Sequence, residues 1–169
     1  TMLSNLNPPA GRFQYLRTDN GIVGIVDYAH TPDALKNVLN TINDIRGGNE
    51  KVITVIGCGG DRDKDKRPVM ADIATKYSDK VLLTSDNPRT EDPTQIIKDM
   101  EAGVDKTLLK KTLSITDRRE AIKAAAAMAE SGDIILVAGK GHETYQEINR
   151  VRSDFDDMLI LTEMLKLVN

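Results

Sequence analysis

Short apolar runs alternate along the chain with longer segments in which apolar residues recur three or four positions apart. The runs are four or five residues long and are bounded by polar residues or glycine, a pattern typical of buried strands. The turn sequence Thr18-Asp19-Asn20-Gly21 separates the first two runs and favours a hairpin, so these two are predicted to be antiparallel. We predict strands at residues 13–17, 22–26, 52–56, 81–84, 112–116 and 134–138.

Amphipathic segments lie between the runs. Four apolar residues share one helical face after Pro32, and Thr31 followed by Pro32 is a typical helix start. Asp117 is a candidate cap for an alanine-rich helix, and Asp92 or Thr90 is a candidate cap for another. We predict helices from residue 32 to the glycine pair at 47–48, at about 68–77, from residue 93, at 118–130 and at 156–168.

The regular alternation of strand and helix from Ile22 onward predicts an α/β fold. It favours a largely parallel sheet with helices on both faces. Residues 1–10 contain a turn-rich stretch and are predicted to be a linker cut from something longer, which leaves residues 11–169 as one domain.

The composition of the chain restricts which partners and which cellular compartment we expect. The chain has 169 residues, 40% hydrophobic and 29% charged, with a net charge of −3 and no long basic block. We therefore expect neither a nucleic-acid partner nor a membrane partner. No apolar run approaches the roughly 20 residues that a membrane helix needs. The single cysteine, Cys58, cannot form an internal disulfide and fits the reducing cytoplasm.

Polar clusters follow four of the predicted strands. They occupy residues 27–30, 57–62, 86–89 and 139–143. The carboxyl ends of parallel strands meet at one edge of a sheet, where ligands bind in open α/β folds. We therefore expect the four clusters to form one site.

The cluster Asp86-Asn87-Pro88-Arg89 has the most specific chemistry. Arg89 suits a carboxylate or a phosphate, and Asp86 suits an ammonium group, so together they could hold both charged ends of an amino acid. The alternative is a surface turn in which Asp86 or Asn87 caps the backbone and Arg89 is solvated.

The sequence matches several known ligand-binding motifs only in part. A dinucleotide fingerprint would need glycine where Arg62 stands, and a calcium loop starting at residue 61 would need glycine where Lys66 stands. The glycines of residues 57–60 could still form a backbone anion site. Lys140 lacks the upstream glycine and the following Ser or Thr of a nucleotide phosphate loop.

The two histidines and the cysteine have simple structural interpretations. His30 is interpreted as a hydrogen-bonding loop residue, with a nucleotide contact as the alternative. His142 has no second histidine or cysteine at metal spacing, and we assign no metal site within the chain. Cys58 is interpreted as a small apolar filler, because no neighbouring residue offers a base to activate it.

Together the four clusters resemble the C-terminal domain of the Mur ligases. The resemblance rests on DYAHTPDAL at 27–35, GCGGDRDKDKRPVM at 57–70, SDNPRTEDP at 85–93 and GKGHETYQ at 139–146. It covers nearly the whole chain, with the motifs in the family's order. The sequence is most similar to the MurE branch, whose members add the third amino acid of the peptidoglycan stem.

The resemblance implies a fold and a reaction. It implies a three-layer α/β/α Rossmann-like domain with a six-stranded, mostly parallel sheet whose first strand is antiparallel. It also implies an ATP-dependent ligase that adds meso-diaminopimelate to UDP-MurNAc-L-Ala-D-Glu through an acyl phosphate. ATP and Mg²⁺ would be bound mainly by a central domain outside this chain, and UDP by an N-terminal domain. We expect the domain alone to be inactive and the protein to be a monomer.

The resemblance also assigns roles to residues, none of them catalytic. Arg12, Asp27 and His30 would contact ATP. The arginine in the DNPR form favours diaminopimelate, whose second carboxylate it would bind. The positions implied to bind diaminopimelate are Arg62, Asp86, Asn87, Pro88, Arg89, Gly139 and Glu143.

Three other functions remain open from the sequence. A lysine-adding ligase would share every motif except the arginine preference. A nucleotide-binding oxidoreductase domain would explain the glycine loop and the parallel sheet. A non-catalytic, nucleotide-binding Rossmann-like module would keep the fold without the reaction.

Overall fold

A six-stranded mixed sheet forms the centre of the domain, in a computed structural model that describes residues 12–168. The strand order is β1-β2-β6-β3-β4-β5. β1 and β2 are antiparallel, and the remaining four neighbouring pairs of this sheet are all parallel. The predicted sheet is therefore confirmed. The strands are β1 (Gln14–Arg17), β2 (Val23–Asp27), β3 (Val52–Cys58), β4 (Lys80–Ser85), β5 (Thr112–Ser114) and β6 (Ile134–Ala138).

Helices cover both faces of this sheet. They are α1 (Pro32–Ile45), α2 (Lys66–Tyr77), α3 (Pro93–Glu101), α4 (Arg118–Met128) and α5 (Asp157–Val168). The buried apolar residues of α1, α2 and α3 share one core with one face of the sheet, and those of α4 and α5 share the second core. The predicted three-layer α/β/α architecture is confirmed.

Local side-chain chemistry explains where three of the helices begin. Thr31 caps α1 by accepting a hydrogen bond from the backbone N–H of Ala34 at 3.2 Å, and Pro32 opens the helix. Asp92, and not Thr90, caps α3. Asp117 caps α4, as predicted.

Some predicted boundaries were wrong. α2 begins at Lys66, two residues before the predicted start, and α4 ends at Met128 because Ala129 is already extended. β5 ends at Ser114, the last residue that pairs with β4. β3 continues beyond residue 56 because Gly57 packs against β4, where a Cβ would lie 2.5 Å from the Thr84 carbonyl oxygen.

The sequence analysis missed a separate hairpin and a short helix. The hairpin consists of β7 (Tyr145–Ile148) and β8 (Val151–Asp154), and a 3₁₀ helix spans Lys106–Lys111. The two hairpin turn residues, Asn149 and Arg150, have φ of 51° and 65°. Two-residue turns of this kind usually contain glycine, and its absence here removed the usual sequence signal.

The linker predicted at residues 1–10 lies outside the described residues and stays a prediction. Within residues 12–168, no helix is long and apolar enough to cross a membrane.

Candidate functional site

The carboxyl ends of β2, β6, β3 and β4 lie side by side, and the four polar clusters meet there as predicted. Asp27 pairs with Ala138, and Cys58 pairs with Ser85. A cavity of about 380 Å³ opens between the loops that follow these strands. Six of the seven residues predicted to bind the amino acid line it, namely Arg62, Asp86, Asn87, Arg89, Gly139 and Glu143.

Asp86 places a buried carboxylate in this cavity. The residue is 9% exposed, and within residues 12–168 its carboxylate accepts no hydrogen bond from the protein. Burial raises the pKa of Asp86, while the positive charges of Arg118 and Lys140 oppose that rise. A buried carboxylate with free acceptor oxygens is suited to a cationic ligand.

Arg89 and Arg62 supply positive charge to the same cavity. Arg89 Nη1 donates to the Gly60 carbonyl oxygen at 2.9 Å, and Arg62 Nη1 donates to the Asp61 carbonyl oxygen at 2.9 Å. In the described part of the chain neither guanidinium forms an ion pair with a carboxylate. Both therefore keep donors available for an anionic ligand.

The backbone at Arg89 is strained and is held by the hairpin. Its φ is 54°, a left-handed value that is uncommon outside glycine. The N–H of Arg89 donates to the Glu147 carbonyl oxygen at 2.9 Å, and the Arg89 carbonyl accepts from the N–H of Asn149 at 2.6 Å. The β7–β8 hairpin thus fixes the backbone of Arg89 and with it the direction in which its side chain projects.

Glu143 is the second carboxylate of the cavity. Its side chain is 22% exposed, and its Oε1 lies 3.3 Å from the Lys140 ammonium nitrogen. The Nδ2 of Asn87 donates to the same oxygen at 3.4 Å. Glu143 therefore lines the cavity, while its Oε1 is bound by Lys140 and Asn87.

Asn87 is mainly engaged within the protein. The residue is 1% exposed, and its Oδ1 accepts from Lys140 Nζ and from the N–H of Glu147, each at 3.0 Å. It joins the loop after β4 to the loop after β6. Asn87 lines the cavity, but its amide oxygen is already occupied.

Gly139 and Pro88 shape the cavity through their backbones. Gly139 has a φ of 115°, and a Cβ there would lie 2.7 Å from Asp86 Oδ2. Pro88 does not line the cavity; its carbonyl oxygen packs against Gly60, where a Cβ would lie only 1.8 Å away. Glycine at these places lets the two loops approach closely.

The cavity therefore brings three cationic side chains, Arg62, Lys66 and Arg89, together with two anionic ones. Arg62 and Arg89 can bind a carboxylate, and Asp86 and Glu143 can bind an ammonium group. This arrangement fits the zwitterionic end of an amino acid better than it fits a simple anion.

A comparison with known families identifies the domain. The sequence profile described as "Mur ligase, glutamate ligase domain" matches residues 11–141. The chain belongs to the Mur ligase family.

Three known proteins are similar to this Mur ligase domain over nearly its whole length. It is 60% identical to a protein of Bacteroides thetaiotaomicron over 96% of the chain, and 60% identical to one of Cytophaga hutchinsonii over 96%. Both relatives are named UDP-N-acetylmuramoyl-L-alanyl-D-glutamate--2,6-diaminopimelate ligase. A solved structure with the same name is 48% identical over 96% of the chain, with a TM-score of 0.86. The chain spans about a third of the length of each, at 34%, 33% and 32%.

A second cavity of the Mur ligase domain lies beside the first. Its volume is about 420 Å³, and Arg12, Asp27 and His30 line it. Tyr28 and His30 line both cavities. Ligands of the two cavities would therefore lie next to each other.

Asp27 and His30 are held differently in this second cavity. The Asp27 carboxylate accepts from the N–H of Phe13 at 2.7 Å and from the N–H of Ala29 at 2.8 Å, which ties the start of β1 to the loop after β2. The His30 ring is exposed and lies 4.6 Å from the Tyr28 ring, between centroids. Asp27 is thus mainly a structural anchor, whereas His30 is accessible to a ligand.

Two buried arginines stabilise the site, and the sequence analysis did not single them out. Arg67 is fully buried and donates to the Gly59 carbonyl oxygen at 3.0 Å and to Glu91 at 2.6 Å. A hydrogen bond from Arg67 lowers the pKa of Glu91 to about 2. Arg118 is also fully buried, pairs with Asp157 at 2.7 Å, and donates to the Ser85 carbonyl oxygen at 3.0 Å.

The main sequence signal for both arginines was their position near the start of a predicted helix. Arg67 directly precedes the predicted helix start at residue 68, and Arg118 follows the cap of the alanine-rich helix. That position does not distinguish a buried ion pair from a solvated side chain. Their partners are distant in sequence, as with Arg118 and Asp157, which are 39 residues apart.

Cys58 is a buried thiol. Burial raises the pKa of the Cys58 thiol to about 12, so it stays protonated at neutral pH, in agreement with its interpretation as a filler. Among residues 12–168 no group of three or more His, Cys, Asp or Glu side chains is arranged to hold a metal ion.

Proposed function

We propose that the full-length protein containing this domain is an ATP-dependent amide ligase. It joins meso-diaminopimelate to UDP-MurNAc-L-Ala-D-Glu in peptidoglycan synthesis, and this domain supplies the amino-acid site. The observation that carries the proposal is the cavity in which Arg62 and Arg89 lie with Asp86 and Glu143. The names of the relatives at 60% identity support the same reaction.

The proposed reaction forms one amide bond and consumes one ATP. ATP supplies the phosphoryl group that converts a carboxylate of the nucleotide-linked peptide into an acyl phosphate, with release of ADP. One amine of diaminopimelate attacks the acyl carbon, phosphate leaves with the electrons of the C–O bond, and the new amide nitrogen loses a proton. The domain contributes by orienting the amine, since correct placement alone accelerates such a step greatly.

In this proposal the far end of diaminopimelate lies in the first cavity. Arg89 and Arg62 bind its carboxylate, and Asp86 and Glu143 bind its ammonium group. Asn87, Pro88 and Gly139 keep the two loops in place. The reacting amine then points toward the second cavity, beyond the shared side chains Tyr28 and His30.

The second cavity is proposed to receive part of ATP. Its exposed aromatic and cationic side chains, His30 and Arg12, suit a nucleotide, and Asp27 holds the loop that carries His30. The ATP phosphates and Mg²⁺ would be bound mainly by parts of the full-length protein outside this chain. We further propose a monomeric enzyme that acts in the cytoplasm.

Lysine addition fits the cavity less well. L-Lysine has the same chain length between its amines but lacks the second carboxylate. Its side-chain end would leave Arg89 and Arg62 facing an ammonium group, and a site with unpaired polar groups rejects such an analogue strongly. The charges of the cavity thus favour diaminopimelate.

The decisive experiment compares the two amino acids as substrates of the full-length protein. ADP release and the mass of the product are measured with meso-diaminopimelate or L-lysine, in the presence of ATP and UDP-MurNAc-L-Ala-D-Glu. We expect product only with diaminopimelate. In the Arg89→Ala variant we expect kcat/KM for diaminopimelate to fall by about 100-fold or more, because the bound carboxylate loses its partner.

The matched control is Arg119→Ala, which removes an exposed arginine on α4 that pairs with Glu163. It should leave kcat/KM unchanged. Unchanged kinetics for Arg89→Ala would refute the proposed carboxylate contact. A preference for L-lysine would keep the ligase but reject the diaminopimelate assignment.

A further inference from the structure

Lys140 is a fully buried cation to which the proposed reaction assigns no role. It follows Gly139 at the end of β6, and its side chain is 0% exposed. Its Nζ donates to Asn87 Oδ1 at 3.0 Å and to Glu143 Oε1 at 3.3 Å, and lies 5.3 Å from the centre of the Tyr145 ring. An ammonium group in such a place must be compensated by its neighbours, because burial of an unpaired charge is costly.

The contacts of Lys140 join loops from strands that are not adjacent. Asn87 follows β4 and Glu143 follows β6, and β3 lies between these two strands. Within the described residues, Lys140 is the one cation that forms an ion pair with Glu143. The other hydrogen bond to that carboxylate, from Asn87 Nδ2, is 3.4 Å long. The two contacts are similar in length, but only Lys140 adds the attraction of an opposite charge, so the position of the Glu143 carboxylate depends chiefly on Lys140.

We propose that Lys140 is a positioning residue for the amino-acid substrate. It holds the Glu143 carboxylate toward the cavity and fixes the Asn87 loop, and so determines how tightly the ammonium group of the substrate is bound. Lys140 does not line the cavity, so it acts through Glu143 and Asn87 and not by contact with the ligand. This inference rests on the proposed function of the cavity.

Lys140 also affects the charge of Asp86. Burial raises the pKa of Asp86, Arg118 and Lys140 oppose the rise, and Glu143 and Asp157 add to it. The ionisable groups around Asp86 come from several elements. They are Arg118 on α4, Asp157 on α5, Lys140 and Glu143 after β6, Cys58 at the end of β3, and Arg62, Lys66 and Arg89 on the cavity wall.

Loss of the Lys140 charge therefore has a signed effect on pH dependence. Without that positive charge the pKa of Asp86 rises further, and Asp86 becomes protonated at a higher pH. A neutral Asp86 attracts an ammonium group less strongly. The acidic limb of kcat/KM for the amino acid should move to higher pH, a change that a purely structural role would not produce.

The test uses the full-length ligase with the substitution Lys140→Met, which keeps an unbranched side chain one atom shorter and removes the charge. We expect the KM for meso-diaminopimelate to rise about tenfold or more. We expect kcat and the KM values for ATP and for the nucleotide-linked peptide to stay within about twofold, since those ligands are not held by Glu143. The matched control is Lys123→Met, an exposed lysine on α4, which should match the wild type.

A double-mutant cycle with Glu143→Gln tests whether Lys140 acts through Glu143. At a pH above the acidic limb, where Asp86 is ionised in every variant, we expect Lys140→Met to add little to the KM effect of Glu143→Gln, because residues in one network are not additive. Lys140→Gln is the second variant; it retains a donor without the charge and should show the same displacement of the acidic limb. Melting curves of every variant verify that it is folded.

Several outcomes would overturn the role of Lys140. These are an unchanged KM, an equal rise in all three KM values, full additivity with Glu143→Gln, or failure of both Lys140 variants to fold. A wild-type enzyme that releases no ADP in response to diaminopimelate would instead overturn the proposed function, and this inference with it. An active wild type with an unaffected Lys140→Met variant overturns only the inference.

Discussion

Asp86 combines a cost to the fold with an advantage for binding. It is 9% exposed, and its carboxylate faces a cavity instead of a protein donor. Burial raises its pKa above the ordinary value even though Arg118 and Lys140 are near. A charge that is poorly compensated in the free protein can be compensated by the ammonium group of a ligand. Ionisable groups with a perturbed pKa of this kind cluster at functional sites.

The substitution Asp86→Asn should therefore stabilise the domain while it impairs the ligase. Because the folded pKa is raised, the protonated form is favoured in the folded state, and stability is lost as the pH rises through the folded pKa. Asparagine resembles the protonated form and avoids that loss. We expect the free energy of unfolding at pH 7 to increase by about 0.5–2 kcal/mol. Urea denaturation of the 169-residue chain at several pH values measures it.

The control for this measurement is Asp44→Asn, an exposed carboxylate on α1, which should change stability little. In the full-length ligase, Asp86→Asn should also raise the KM for diaminopimelate. If Asp86→Asn were less stable than the wild type at pH 7, the charges of Arg118 and Lys140 would outweigh the effect of burial.

At the scale of elements, the β7–β8 hairpin supports the most important loop of the site. Arg89 forms two backbone hydrogen bonds to it, and Gln146 Nε2 donates to the Asp86 carbonyl oxygen at 2.8 Å. Arg89 also bridges to Ile148 in the parallel sense. These contacts offset the left-handed backbone of Arg89. The hairpin thus orients Arg89, although its strands belong to a separate sheet.

A pair of substitutions at Asn149 tests the role of the hairpin. Asn149 has a φ of 51°, and its N–H donates to the Arg89 carbonyl oxygen. Proline removes that donor and requires a negative φ, so Asn149→Pro should destabilise the domain by about 2–3 kcal/mol and raise the KM for diaminopimelate. Glycine keeps both features, and Asn149→Gly should stay within about 0.5 kcal/mol of the wild type.

Denaturation of both variants and steady-state kinetics of the full-length enzyme are the measurements. Equal KM values for Asn149→Pro and Asn149→Gly would show that the hairpin does not orient Arg89. A loss of stability without a change in KM would lead to the same conclusion.

Features set by neighbouring residues could be predicted from the sequence, whereas features set by distant partners could not. Strand ends and helix starts depend on nearby residues, such as Thr31 with Pro32, and were predicted with small errors. The meeting of the four clusters followed from parallel pairing. The burial of Lys140 and Arg118 depends on partners brought together by the whole fold, and no local pattern reveals it. The hairpin was missed because its turn uses Asn149 and Arg150 without glycine.

At the scale of the whole molecule, two neighbouring cavities share Tyr28 and His30. Several of the charged and aromatic side chains that line them, such as Arg62 and His30, are exposed. Ion pairs between exposed side chains and a ligand contribute little binding free energy in water. Their contribution increases when a second surface covers the cavity and excludes the solvent. The chain spans only about a third of the length of the relatives named above, and in the full-length ligase that we propose such a surface is supplied by another part of the protein.

The exposed side chains of the two cavities suggest that the isolated chain binds its ligand weakly. We expect the isolated chain to form no amide and to bind meso-diaminopimelate at least about tenfold more weakly than the full-length protein does with its nucleotide-linked peptide and a non-hydrolysable ATP analogue. Calorimetric titration of each protein measures the difference, with L-lysine as the control ligand and Arg89→Ala as the control variant. If the isolated chain binds as tightly as the full-length protein, the cavity is complete by itself. In that case no covering surface is needed, and the proposed selectivity for diaminopimelate would have to come from the charges of this domain alone.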